Sequence, residues 1–119
     1  MSRYAQVPTE KALTERILKE LRKIPGVVAE KRHGGAFGKA GEPDITGCYK
    51  GWRFELEVKR PGVGRLTPLQ KAALQKWASA GAYTAIVRSV EDALAVIEEI
   101  RERTEEMERL AERAMRAGL

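Results

Sequence analysis

The chain has 119 residues, enough for one domain in which a sheet and its packing helices share a core. Hydrophobic residues make up 43% and charged residues 33%, which argues against global disorder; no apolar run approaches the roughly eighteen residues of a membrane span and no signal peptide is visible, so a cytoplasmic protein is expected. The net charge of +5 is unevenly spread: residues 1–80 hold 16 Lys and Arg against 8 Asp and Glu, residues 81–119 hold 6 against 9, and a polyanion held through its phosphates is a plausible partner of the basic portion.

Residues 1–8 lack periodicity and read as a loose arm. Thr9 is a good N-cap for a helix continuing to about Ile24, where Pro25 and Gly26 stop it. Leu13, Ile17, Leu21 and Ile24 recur at helical spacing and predict a buried stripe. Residues 27–32 read as the first strand. The stretch HGGAFGKAG after it has four glycines and no periodicity, which predicts a mobile loop. No Gly-Lys-Ser/Thr opens a helix here, so it is not a phosphate-binding P-loop. With Lys31, Arg32, His33 and Lys39 around it, the loop could close over a DNA backbone; a lone loop histidine is more often solvated than a general base.

Gly41, Glu42, Pro43 and Asp44 form a turn that delivers a carboxylate at the start of a strand through Ile45, Thr46 and Gly47. One cysteine, Cys48, and one histidine exclude a four-ligand zinc site and an intramolecular disulfide; Cys48 reads as a small core residue. Beyond a turn at Tyr49, Lys50 and Gly51, alternation sends Phe54, Leu56 and Val58 to one face and Glu55, Glu57 and Lys59 to the other. A sheet edge open to water would account for three charges on one face. If the two strands pair, however, Asp44 lies near Glu57, with Lys59 one pleat further on. Neighbouring carboxylates repel unless a cation sits between them. Magnesium suits such a pair, since it needs one or two carboxylates and keeps several waters, and the carbonyl of Val58 is a natural third ligand. An ion there, with Lys59 beside it, fits phosphodiester hydrolysis.

Arg60 and the stretch Pro61 to Arg65 form a flexible basic link. Thr67 caps a second helix with Pro68 at its first position and Gly81 at its end. Its apolar side is Leu69, Ala73, Leu74, Trp77 and Ala80, with Gln70 among them; a buried amide needs partners, from the site or from nearby backbone. Residues 82–87 read as the last strand. Ser89 caps a final helix whose core-facing stripe is Ala93, Leu94, Ile97 and Ile100. The register continues through Thr104, Met107, Leu110, Ala111 and Ala114, so residues from about 101 to 119 form a helical extension, either solvated or a surface for another subunit.

Pro43 and Asp44 followed by Glu57 and Lys59 resemble the PD-(D/E)XK nuclease motif. The wider pattern, GEPDITG, then FELEVKRPGVGRLTPLQ, then a glycine before a last strand, resembles the VRR-NUC family of virus-type replication-repair nucleases in its small stand-alone phage and bacterial form. The likeness runs from about Thr9 to about Ile97. It implies an α/β fold with a restriction-endonuclease-like core, a central mixed β-sheet flanked by helices and followed here by the long C-terminal helix. It implies a magnesium- or manganese-dependent DNA endonuclease, with no small organic cofactor, acting as a homodimer on branched DNA such as four-way Holliday junctions. Family members supply a further acidic residue from the first helix; at about 100° per residue Glu10 falls on the buried stripe and Glu15 points away, which selects Glu10. A first-turn carboxylate stabilised by the helix dipole is the plainer account of Glu10. By the same resemblance Gln70 orders the site, while Arg60, Arg65, Lys71 and the basic loop grip phosphates. A domain of this fold that clamps DNA without cutting is the alternative.

Overall fold

The computed structural model describes residues 7–33 and 40–118. Seven elements follow in the expected order: α1 (Glu10–Leu21), β1 (Val28–Lys31), β2 (Ile45–Tyr49), β3 (Trp52–Val58), α2 (Pro68–Ser79), β4 (Tyr83–Val87) and α3 (Val90–Arg116). The strands form one mixed sheet in the order β1-β2-β3-β4, antiparallel as far as β3 and parallel between β3 and β4. A two-residue loop joins β2 to β3, with Lys50 at φ 51° and Gly51 at φ 82°, the positive pair of a type I′ turn whose twist matches a hairpin.

The register Ile45↔Leu56, Gly47↔Phe54 and Tyr49↔Trp52 lines up one apolar face, extended by Val58 and Val87. α1 and α3 cover that face, burying Leu13, Ile17, Leu18 and Leu21 from the first and Ala93, Val96, Ile97 and Ile100 from the last. α2 lies over the opposite face, where the Trp77 ring packs beneath the guanidinium of Arg53 at 4.5 Å. Helices therefore stand on both faces of the sheet. Among the described residues no helix is long and apolar enough to cross a membrane.

Local chemistry moves several expected boundaries. α1 ends at Leu21 rather than near Ile24, because Pro25 disfavours helical backbone at the residue before it and the chain tightens into i→i+3 bonds, Lys23 N–H to Glu20 and Ile24 N–H to Leu21. Cys48 is exposed, not core: its side alternates onto the α2 face, and α2 does not reach that far toward the β1 edge. The apolar side expected on α2 is mostly open, with Ala73 its one buried residue and Leu69 62% exposed, because the sheet face beneath it carries Arg53, Glu55 and Glu57 instead of hydrocarbon. On α3, Val96 takes the core position expected of Leu94, which is 37% exposed.

Gly47 marks a close approach at the centre of the sheet. A Cβ there would stand 2.2 Å from the Phe54 ring and 2.4 Å from the Val28 carbonyl. Gly47→Ala is therefore expected to lower stability by about 1–3 kcal/mol, read as a shift of the urea midpoint with little change in m.

Candidate metal centre

Three side chains, from α1, from the turn before β2 and from β3, converge at the end of the β2–β3 pair. Ligand oxygens of Glu10, Asp44 and Glu57 all lie within 4.8 Å of one another. Asp44 stands one step beyond the Ile45↔Leu56 pair, which sets it across from Glu57. Its Oδ2 accepts a 2.8 Å hydrogen bond from the Val58 N–H, and its carbonyl accepts one of 2.8 Å from the Arg32 N–H. Val58, expected to offer its carbonyl, thus touches Asp44 through its amide. Glu57 is 1% exposed, and neither of its carboxylate oxygens has a hydrogen-bond partner among the described residues. Among the described residues its cationic neighbour in salt-bridge geometry is Lys59, itself buried, with Nζ 3.6 Å from Oε2. Buried carboxylate oxygens without donors, beside two more carboxylates, fit a hard divalent cation with oxygen ligands.

Burial, the adjacent Asp44 carboxylate and the more distant Glu10 push the Glu57 carboxyl up to about 8 from 4.5, against the pull of Lys59. A cation between these groups would reverse that balance.

Glu10 owes its place to a tether from the far side of the site. Arg60, the residue after Lys59, donates from Nε to the Pro8 carbonyl at 3.0 Å and from Nη2 to the Val7 carbonyl at 3.4 Å. The Thr9 hydroxyl then caps α1 by accepting from Ala12 N–H at 3.0 Å, and buried Thr14 donates to the Glu10 carbonyl at 2.7 Å. Arg88 braces the link after Lys59, donating from Nη1 to the carbonyls of Arg60 at 2.9 Å and Gly64 at 3.0 Å. Gly64 packs closely enough that a Cβ would stand 2.9 Å from Arg60 N and 3.0 Å from the Lys59 Cβ. The segment expected to be a flexible link is a braced turn.

The remaining expected residues divide by what holds them. Arg32 is an internal strut: it pairs with Glu55, donates to the Pro43 carbonyl at 3.1 Å and lies over Trp77 at 5.1 Å. It therefore secures the Pro43–Asp44 turn instead of projecting to a backbone phosphate, and the guanidinium of Arg60 is likewise turned inward. Gln70 completes the α2 capping box, its Oε1 accepting from Thr67 N–H at 3.0 Å, so its carbonyl is satisfied by nearby backbone. Gln70 still lines a cleft of about 710 Å³ with Arg32, His33, Glu42, Asp44 and Trp77. Lys31, His33, Arg65 and Lys71 are exposed; Lys39 and the rest of residues 34–39, where a mobile loop was expected, lie outside the described residues.

Sequence reasoning did not find Glu42, whose carboxylate accepts from Trp77 Nε1 at 2.8 Å, pairs with Lys76 and stands 3.9 Å from Arg32. Burial works to raise its pKa, but those hydrogen bonds and charges bring it below the usual value. The bond ties α2 to the turn that carries Asp44. Nor was Arg88 singled out, a lone arginine at a strand end with no local signal of its long-range role.

The described residues form an α/β fold, a four-stranded mixed sheet with helices on both faces, and the carboxylate cluster sits at one end of its β2–β3 pair. A solved VRR_NUC domain shares the fold with a TM-score of 0.61 at 23% identity, over 76% of this chain and 97% of its own. A second, a VRR_NUC domain protein, does so with a TM-score of 0.59 at 17% identity, over 77% of this chain and 87% of its own. No family model and no curated protein matches the sequence. The chain has the VRR_NUC fold, the one that its GEPDITG and FELEVK segments resemble.

Because Glu57 is protonated in the fold up to about pH 8 but only to about 4.5 when unfolded, the metal-free protein binds an extra proton across that window. Its contribution to stability is full below pH 4.5 and lost as pH rises to about 8. Denaturant titrations of the chelator-treated protein are expected to show that loss, of the order of a few kcal/mol, and Glu57→Gln is expected to abolish it. Arg60→Ala frees the start of α1 and is expected to weaken divalent-ion binding about tenfold by calorimetry, as loss of a supporting outer contact does.

Proposed function

We propose that this chain is a VRR-NUC family nuclease that hydrolyses DNA phosphodiester bonds with a magnesium or manganese ion. The observation that carries the reading is the meeting of Glu10, Asp44 and Glu57 within 4.8 Å beside the Lys59 ammonium. Those carboxylates, with the Val58 carbonyl, would hold the ion; when bound it lowers the pKa of a water and offsets charge on the phosphoryl oxygens. Asp44 is oriented for this by the Val58 N–H, which occupies Oδ2 and leaves Oδ1 free of that bond. Lys59, held near Glu57, orients the attacking water or stabilises negative charge growing on the phosphate. Gln70 orders the cleft wall next to Asp44. Exposed Lys31, His33, Arg65 and Lys71, together with Lys39, are the groups offered to the DNA backbone. The names of the two structural neighbours and the motif resemblance support the same class.

The finer reading is a structure-selective endonuclease for branched DNA such as Holliday junctions, working as a homodimer in DNA repair or phage replication inside a bacterial cell. Two sites related by a two-fold axis suit two strands of opposite polarity.

Labelled duplex, flap, single-stranded and four-way junction DNA, incubated with magnesium, manganese or EDTA, test this directly. Cleavage should require the metal, favour the junction, and fall roughly hundredfold or more in Asp44→Ala and in Lys59→Ala while DNA binding persists. Cutting that survives EDTA would sink the mechanism. Wild-type binding without cleavage under any metal would make the domain a DNA clamp.

A further inference from the structure

We propose that the outer half of α3 pairs with the same segment of a second copy of this chain, running antiparallel. The last buried residue of α3 is Ile100, yet the helix continues unbroken to Arg116. Thr104, Met107, Ala111 and Ala114 keep the alternating three- and four-residue spacing that Ile97 and Ile100 begin, so the core stripe carries on past the core as a heptad seam. Among the described residues Met107 of the seam is 51% exposed, and Leu110 at 53% and Met115 at 78% flank it on either side. Exposed methionines and a leucine clustered over three turns are a surface that gains by leaving water.

Charge selects the occupant and its direction. Residues 98–108 hold six Glu against two Arg, whereas residues 109–116 hold three Arg against one Glu. Intrahelical pairs of Arg101 with Glu98 and Glu105, and of Arg116 with Glu112, leave this imbalance in place. A parallel pair would set acid against acid and base against base. An antiparallel pair sets each acidic half along the basic half of its partner, with the two-fold axis where the sign changes, near Arg109, and brings Leu110 of the two copies together at the crossing. The same chain thus supplies both complementary surfaces. The seam from Thr104 to Met115 is about 18 Å long, short for an interface of ~1,600 Å², so the pairing is sought at micromolar concentration.

Sedimentation equilibrium of the full chain from about 1 to 100 µM is expected to show a monomer–dimer equilibrium. Met107→Glu with Leu110→Glu should weaken it at least tenfold while leaving unchanged the thermal midpoint read below the dissociation constant, where the chain is monomeric and both side chains are exposed. Orientation is read with Cys48→Ser as background, to remove the exposed native thiol. Leu110→Cys, near the axis, should form an intermolecular disulfide, and Ala117→Cys, far from it, should not. A monomer at the highest concentration, dimerisation indifferent to the double substitution, or equal cross-linking at both positions would each overturn the proposal. Mass and cross-linking are read without DNA: a monomer would also remove the homodimer from the proposed function but leave metal-dependent cleavage standing, and failure of cleavage leaves this pairing standing.

Discussion

The pairing of β2 with β3 is the constraint on which the site depends. Ile45, Phe54, Leu56 and Val58 are all fully buried beneath α1 and α3, and a one-residue slip would turn every one of them outward. That penalty holds the register, and the register sets Asp44 against Glu57. Two carboxyl groups that could not both stay charged side by side, as the raised pKa of Glu57 records, are kept together by hydrocarbon on the reverse side of the sheet. That conflict is then available to whatever cation relieves it.

Glu55 and Glu57 make the point by contrast. They occupy the same face of the same strand, two residues apart, and both are essentially unexposed. Glu55 is met by Arg32, by the Thr46 hydroxyl and by Arg53 Nε at 3.2 Å, an acidic residue fully satisfied by the protein. Glu57 has two bare oxygens and one lysine at 3.6 Å. The first is architecture, securing β1 and β2 to β3 and, through Arg32, the turn before Asp44. The second finds no donor among the described residues, and it is the oxygen pair that the proposed cation would complete.

What could be read from the residues was whatever depends on short-range pattern. Thr9, Thr67 and Ser89 cap the three helices as their side chains advertise, Lys50 and Gly51 turn the hairpin, and alternation along Phe54 to Lys59 assigns each side to its face. Selecting Glu10 over Glu15 needed only helical geometry and the resemblance. What could not be read was which arginine goes where. Arg32 and Arg60 look like neighbours of a phosphate because they flank basic, glycine-rich segments, yet each finds carbonyl or carboxylate oxygens of its own chain. Guanidinium groups have five donors and long stems, and their destinations are set by tertiary contacts that leave no local trace. The open side of α2 was misjudged for a related reason: its apolar residues face a charged stretch of sheet, and amphipathicity in one element says nothing of the polarity of its neighbour.

The Arg60 tether has one consequence for how this protein can change over time. Its guanidinium grasps main-chain oxygens at positions 7 and 8, atoms that every amino acid possesses. The side chains of Val7 and Pro8 take no part in those two bonds, so position 7 can drift in composition while the backbone it carries still seats Glu10.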